Sequence, residues 1–153
     1  MIKHIVFLIG YIYFLYIDLK RKEIDIAALA IYALMSLVAV AITRNNVSMS
    51  TFMDSVYSLT FGLIIYLLSY FSMEGIGIAD GLYFVINGLL LTLKENILLF
   101  FTGLLVAFVI GIFMFYFGNA KRKADARLPF IPCVLPFVSI VLFQPKIPLV
   151  IWI

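Results

Sequence analysis

Two aspartates, Asp18 and Asp80, stand at the borders of apolar runs. Asp18 closes the run Ile2–Ile17, and Asp80 follows Gly75 and Gly77 and precedes Leu82–Leu93. An ionisable residue at the mouth of a hydrophobic segment is costly there and marks a candidate functional site. Taken alone, Asp80 also reads as an ordinary N-cap in a glycine-rich turn between two helices. As a pair the two carboxylates offer more. Like charges a few ångströms apart at a low-dielectric boundary cannot both ionise, so the two share a proton. One then acts as a base on water while the other donates a hydrogen bond or proton to a scissile carbonyl. The pair titrates as a unit. That is aspartyl protease chemistry, and it requires both aspartates to reach the same side of whatever the apolar runs are embedded in.

The surroundings are a membrane. Sixty-five per cent of the 153 residues are hydrophobic and 12% are charged, with a mean hydropathy of +1.18. Charged residues run near a quarter in soluble domains. The apolar runs are too long for barrel strands, and backbone groups in lipid must be satisfied internally, so the spans are helices. A chain of this length holds about six spans of some 20 residues. We therefore expect an all-α polytopic membrane protein, a single membrane-embedded domain over residues 1–153 built as a bundle of about six transmembrane helices.

In order, the expected spans are Ile2–Ile17, Ile26–Ile42, Ser55–Met73, a fourth reaching Leu93, Ile97–Phe117 and Leu128–Phe143. Thr43–Asp54 reads as a polar connector and Lys94-Glu95-Asn96 as a tight turn. The fourth span is unusual. Gly81–Leu93 is too short to cross ~30 Å of hydrocarbon at ~1.5 Å per residue. Crossing requires entry near Glu74, which draws Asp80 into the boundary, and Gly75 and Gly77 permit an irregular entry there. Pro129 and Pro132 open the sixth span and Pro136 lies within it. The tail 144–153 has no assignment.

Charge sets the orientation. Lys20, Arg21, Lys22, Lys121, Arg122, Lys123 and Arg127 fall on one side, against Lys3, Arg44, Lys94 and Lys146 on the other. The clustered side is expected to be cytoplasmic, with both chain ends outside, and spans one and three then carry Asp18 and Asp80 to the cytoplasmic face. Basic clusters flanking spans serve orientation rather than nucleic-acid binding. The 15 Phe and nine Tyr suit lipid-facing packing and interfacial belts.

Other chemistries are excluded. Cys133 is the only cysteine and His4 the only histidine, so a Cys-rich zinc site, a His-Glu-x-x-His site and an intramolecular disulfide are all out of reach. His4 lies on the outer side, remote from any inner serine. No phosphate-binding loop is present. Neither a metal nor a cofactor is expected. Of the remaining inner acids, Glu23, Asp25 and Asp125 lie among basic residues and read as solvated charges, and Glu74 is ambiguous.

With the two aspartates singled out, the sequence resembles the type IV prepilin peptidases, membrane aspartyl enzymes of the Gly-x-Gly-Asp type. Asp18-Leu19-Lys20-Arg21-Lys22-Glu23-Ile24 looks like the family's first-aspartate motif. Gly75-Ile76-Gly77-Ile78-Ala79-Asp80 looks like its second, and Leu128-Pro129-Phe130-Ile131-Pro132 its Pro-Phe-x-Pro element. There are departures. Asp25-Ile26 replaces Pro-Asn, Ala79 stands in place of glycine, and a basic residue after the second aspartate is missing. The cysteine-bearing insertion of the longer methylating members is also missing, so the chain looks like a short, peptidase-only form. The resemblance implies catalytic roles for Asp18 and Asp80 and supporting ones for Gly75, Gly77, Ala79, Pro129 and Pro132. It also implies a pilin-like or archaellin-like precursor as partner, cut behind a short basic leader at the cytoplasmic membrane face. Glu74, Glu23 and Asp25 are candidates to attract leader lysines.

A non-catalytic multi-span protein, such as a transporter subunit or an assembly partner of a secretion machine, is the alternative. A presenilin-type intramembrane protease is a third reading, but its bundles are longer and Tyr16-Ile17-Asp18 lacks the adjacent Tyr-Asp pair of that group.

Overall fold

The computed structural model describes residues 2–21, 24–43, 49–71, 77–117 and 130–138, and all of its regular structure is helical. The helices are α1 (Ile2–Arg21), α2 (Ile26–Thr43), α3 (Met49–Phe71), α4 (Ile78–Leu90), α5 (Leu93–Phe117) and a short α6 (Phe130–Cys133). After α6 the backbone makes a turn at Val134 and coils again over residues 135–138. α1, α2, α3 and α5 are long and apolar enough to cross a membrane. The 13 residues of α4 reach only about 20 Å, short of the hydrocarbon thickness, as its sequence foretells.

Several helix ends differ from the expected spans. α1 continues three residues beyond Asp18, so this aspartate sits inside the last turn of a helix rather than after it. Lys20 there reaches back to the Tyr16 hydroxyl at 3.3 Å, the extended stem of a basic side chain at a helix end. α3 begins at Met49, inside the stretch expected to be a polar connector. Its hydroxyls satisfy themselves on the preceding turn, with Ser55 donating to the Thr51 carbonyl and Thr60 to the Val56 carbonyl, so they do not break the helix. The expected turn at Lys94-Glu95-Asn96 is instead the first turn of α5. Thr92 caps it. The Thr92 amide donates to Glu95 Oε2 at 2.8 Å, and the Glu95 amide donates to Thr92 Oγ1 at 3.4 Å. This is a reciprocal capping box. The helix is interrupted between α4 and α5 at Leu91–Thr92, where Leu91 is extended.

With lipid outside, apolar burial does little to draw helices together, and close backbone approach and buried polar contacts take over. α3 and α4 show this most. A Cβ on Gly62 would lie 2.6 Å from the Phe84 carbonyl oxygen, one on Gly81 2.7 Å from Tyr66 Cα, and one on Gly88 2.8 Å from Leu59 Cα. Three glycines therefore let two antiparallel backbones touch along the length of α4. Asn96 clamps the same contact from α5, its amide donating to Ser58 Oγ at 3.2 Å and to the Phe84 carbonyl at 3.3 Å.

Aromatic rings fill the rest of the core. Phe14 of α1 packs edge-on against Tyr32 of α2 and Tyr83 of α4. Phe84 packs edge-on against Phe100 of α5 and Phe130 of α6. The outer faces carry exposed apolar side chains such as Ile9, Leu34, Leu68 and Phe108, the surface a lipid-embedded helix presents. This is an all-α membrane bundle.

Candidate functional site

The two ends of the bundle are chemically distinct. At one end His4 Nε2, near the start of α1, lies 3.6 Å from Glu95 Oε1 at the start of α5. At the other, the last turn of α1 meets the first turns of α4 and α6. Asp18 and Asp80 are both there.

Asp18 is 5% exposed. Its Oδ2 accepts a hydrogen bond from the Ile131 backbone amide at 3.1 Å. The first amides of any helix lack intrahelical acceptors, and Pro132 beside Ile131 offers no N–H at all. Asp18 thus ties α6 to α1 across 113 residues of sequence.

Asp80 is the third residue of α4 and is half-buried. It is not the N-cap of that helix. Gly77 holds that position, in extended conformation (φ −63°, ψ 138°). The Asp80 carboxyl reaches back toward Gly77, whose backbone N–H bonds to it. A Cβ on Gly77 would stand 3.0 Å from Asp80 Oδ2, so glycine gives the carboxyl room at this turn. The positive end of the α4 dipole also favours an acid in this turn. Asp18 lies close enough to Asp80 for its charge to act on the Asp80 carboxyl. The expected convergence of the two aspartates at one end is therefore present in the fold, with α1 and α4 as the elements that position them.

Besides Gly77, three of the other expected site residues are among those described. Ala79 is an ordinary helical residue of α4, partly buried against the core. A Cβ fits there without a left-handed backbone, so alanine in the glycine position costs no strain. Pro132 is half-buried in α6. Asp25 is exposed and caps α2, its Oδ1 accepting from the Ala27 amide at 3.0 Å. Glu23, Glu74, Gly75, Pro129 and Asp125 lie outside the described residues, as do residues 139–153. Among the described residues no cluster of three or more His, Cys, Asp or Glu side chains could hold a metal ion.

The family model for the type IV leader peptidase family matches residues 5–115, a stretch that includes both aspartates. The chain belongs to the type IV leader peptidase family. No curated protein and no solved structure matches the chain. Membership in that family makes this a type IV leader peptidase-like membrane protein and implies a prepilin-like substrate. The match ends before the Leu128–Pro132 element, whose described part nonetheless touches Asp18 through Ile131.

Sequence reasoning missed a polar group behind the aspartates. Tyr32 donates from its hydroxyl to Asn87 Oδ1 at 2.8 Å, a fully buried bond between α2 and α4. Tyr83 stacks on Tyr32 with ring centroids 6.1 Å apart. Asp80, Tyr83 and Asn87 recur at helical spacing and share one face of α4. A polar side chain within an apolar span is itself a signal, and Asn87 carried it.

Proposed function

We propose that this chain is an aspartic endopeptidase that removes the short basic leader from pilin-like precursors at the cytoplasmic face of the plasma membrane. The observation that carries the reading is the meeting of Asp18 and Asp80 at one end of α1 and α4 in a chain of the leader peptidase family. One aspartate accepts a proton from a water molecule whose oxygen attacks the scissile carbonyl carbon. The other, protonated, gives its proton to the carbonyl oxygen. Collapse of the tetrahedral species restores the carbonyl, breaks the C–N bond and delivers a proton to the departing amine. Asp80, the more solvent-exposed of the two, is the better placed to meet a substrate. Asp18, buried and fixed by the Ile131 amide, is the more rigid partner. A substrate helix lying in the bilayer against the bundle would keep its leader in the cytoplasm, beside the same end.

A second reading draws on the same contacts. Both aspartates already have backbone partners, Ile131 for Asp18 and Gly77 for Asp80, and a purely architectural pair would need no more. Asparagine substitutes well for a capping aspartate and cannot cycle a proton. The test is co-reconstitution of the protein with a pilin-like precursor in lipid vesicles, with the mass of the product read out. A product shortened by its leader, formed by the wild type and by neither Asp18→Asn nor Asp80→Asn, is the expected result. Cleavage that survives either substitution would leave the architectural reading standing.

A further inference from the structure

Three polar atoms in the core, on the side of α4 that carries Asp80, are buried without a hydrogen bond of good geometry among the described residues: the Tyr11 and Tyr83 hydroxyls and the Asn87 amide nitrogen. Their residues are 3%, 1% and 0% exposed, respectively. They come from two helices and converge. Tyr83 and Asn87 lie one turn apart on α4, with the Asn87 amide aimed at the Tyr83 oxygen but out of good hydrogen-bond geometry, and Tyr11 of α1 lies within electrostatic reach of the Tyr83 hydroxyl. Tyr32 of α2 closes a third side, its ring on Tyr83 and its hydroxyl on Asn87 Oδ1. Phe14 covers the group from α1 with edge-on contacts to both Tyr32 and Tyr83. Asp80 stands one turn before Tyr83, near enough for its charge to act on the hydroxyl.

Polar atoms buried in a bilayer have no bulk water to turn to, and unsatisfied ones are costly. Interior sites that are polar and supply several partners hold ordered water, which makes about three hydrogen bonds to such groups. A water molecule accepts two hydrogen bonds and donates two, so one can accept from the Asn87 amide and the Tyr11 hydroxyl while donating to the Tyr83 oxygen. We propose that Tyr11, Tyr83 and Asn87 hold internal water inside the bundle, one to two turns along α4 from Asp80, and that this water is drawn on for hydrolysis. The water site stands on the buried atoms alone. Its use in hydrolysis rests on the paired-aspartate reading. Tyr83 is then a positioning residue that acts through water on Asp80, and each peptide bond cut consumes one water.

Water-edited solid-state NMR on the full chain in lipid bilayers reads the site without substrate. Magnetisation from water should build up at the Asn87 side-chain amide nearly as fast as at exposed Asp25, and much faster than at the Phe14 ring, which is 0% exposed. The double substitution Tyr11→Phe with Tyr83→Phe should slow build-up at Asn87 several-fold. Build-up at Asn87 as slow as at Phe14 in the wild type, or unchanged by the double substitution, overturns the water site. Thermal unfolding gives an independent sign. If the pocket is wet, removing both hydroxyls lowers the unfolding temperature. If it is dry, removing two unpaired hydroxyls raises it and the proposal fails. For the role in hydrolysis, Tyr83→Phe should lower kcat for leader cleavage about tenfold, less than the ~10²–10⁴-fold of a direct general acid or base because it acts through water, and leave KM unchanged. A change in KM alone, or none at all, overturns that role. A wild type that hydrates Asn87 yet cuts no precursor removes the peptidase reading and leaves the water site intact.

Discussion

Asp18 and Asp80 differ in how they are held, and their substitutions should differ accordingly. Asp18→Ala leaves the Ile131 amide buried without an acceptor, which should cost about 1–3 kcal/mol of stability. Asp18→Asn keeps an oxygen for that amide and should unfold within about 1 kcal/mol of the wild type, since it keeps the size and one acceptor of the bond. Unfolding in mixed detergent micelles measures both. Ala79→Gly tests the departure from the family pattern. Position 79 is helical, so glycine should lower stability by about 0.5–1 kcal/mol and leave leader cleavage within a factor of two. A many-fold gain in cleavage would show that the turn needs glycine freedom after all. The aspartates themselves were legible in sequence because charge at an apolar border is rare and span parity puts both at one end. Their hydrogen bonds were not. The Ile131 partner is 113 residues from Asp18, and no local pattern encodes such a contact.

Among the elements, α4 decides the geometry of the site, and α3 decides where α4 lies. Gly88→Leu would drive a side chain into the Leu59 backbone, where even a Cβ would stand at 2.8 Å. It should destabilise the bundle by about 1–3 kcal/mol and lower cleavage by moving Asp80 away from Asp18. A thermal shift assay in detergent, alongside precursor processing, reads both effects. Unchanged unfolding would mean that α3 and α4 do not pack as closely as their glycines allow. The four long spans α1, α2, α3 and α5 and the shortness of α4 followed from run lengths. The start of α5 did not, although Thr92-Leu93-Lys94-Glu95 is a capping-box signature. The charge of Lys94 and Glu95 outweighed it, because a polar triplet between apolar runs reads first as a turn. The α3 start was obscured for a related reason. Ser and Thr suggest a connector, yet in lipid they satisfy themselves within the helix.

At the scale of the whole molecule, the fold separates a His4–Glu95 end from an Asp18–Asp80 end. Only charge asymmetry speaks to which faces the cytoplasm. With Cys133 replaced by serine, single cysteines at Lys94 and Lys20 should behave oppositely in intact cells. A membrane-impermeant maleimide should label Lys94→Cys and spare Lys20→Cys, and the reverse pattern would invert the orientation. The central claim concerns the pair itself, and its most direct measurement is the cleavage rate of a pilin-like precursor by Asp18→Asn, Asp80→Asn and the double variant, all confirmed folded. Residues that act as one unit are grossly non-additive when removed. Each single variant should therefore lose at least about a thousand-fold in rate, and the double variant should be no slower than either. A single variant that keeps cleavage within about tenfold of the wild type, or losses that multiply in the double, would contradict a peptidase built on paired aspartates.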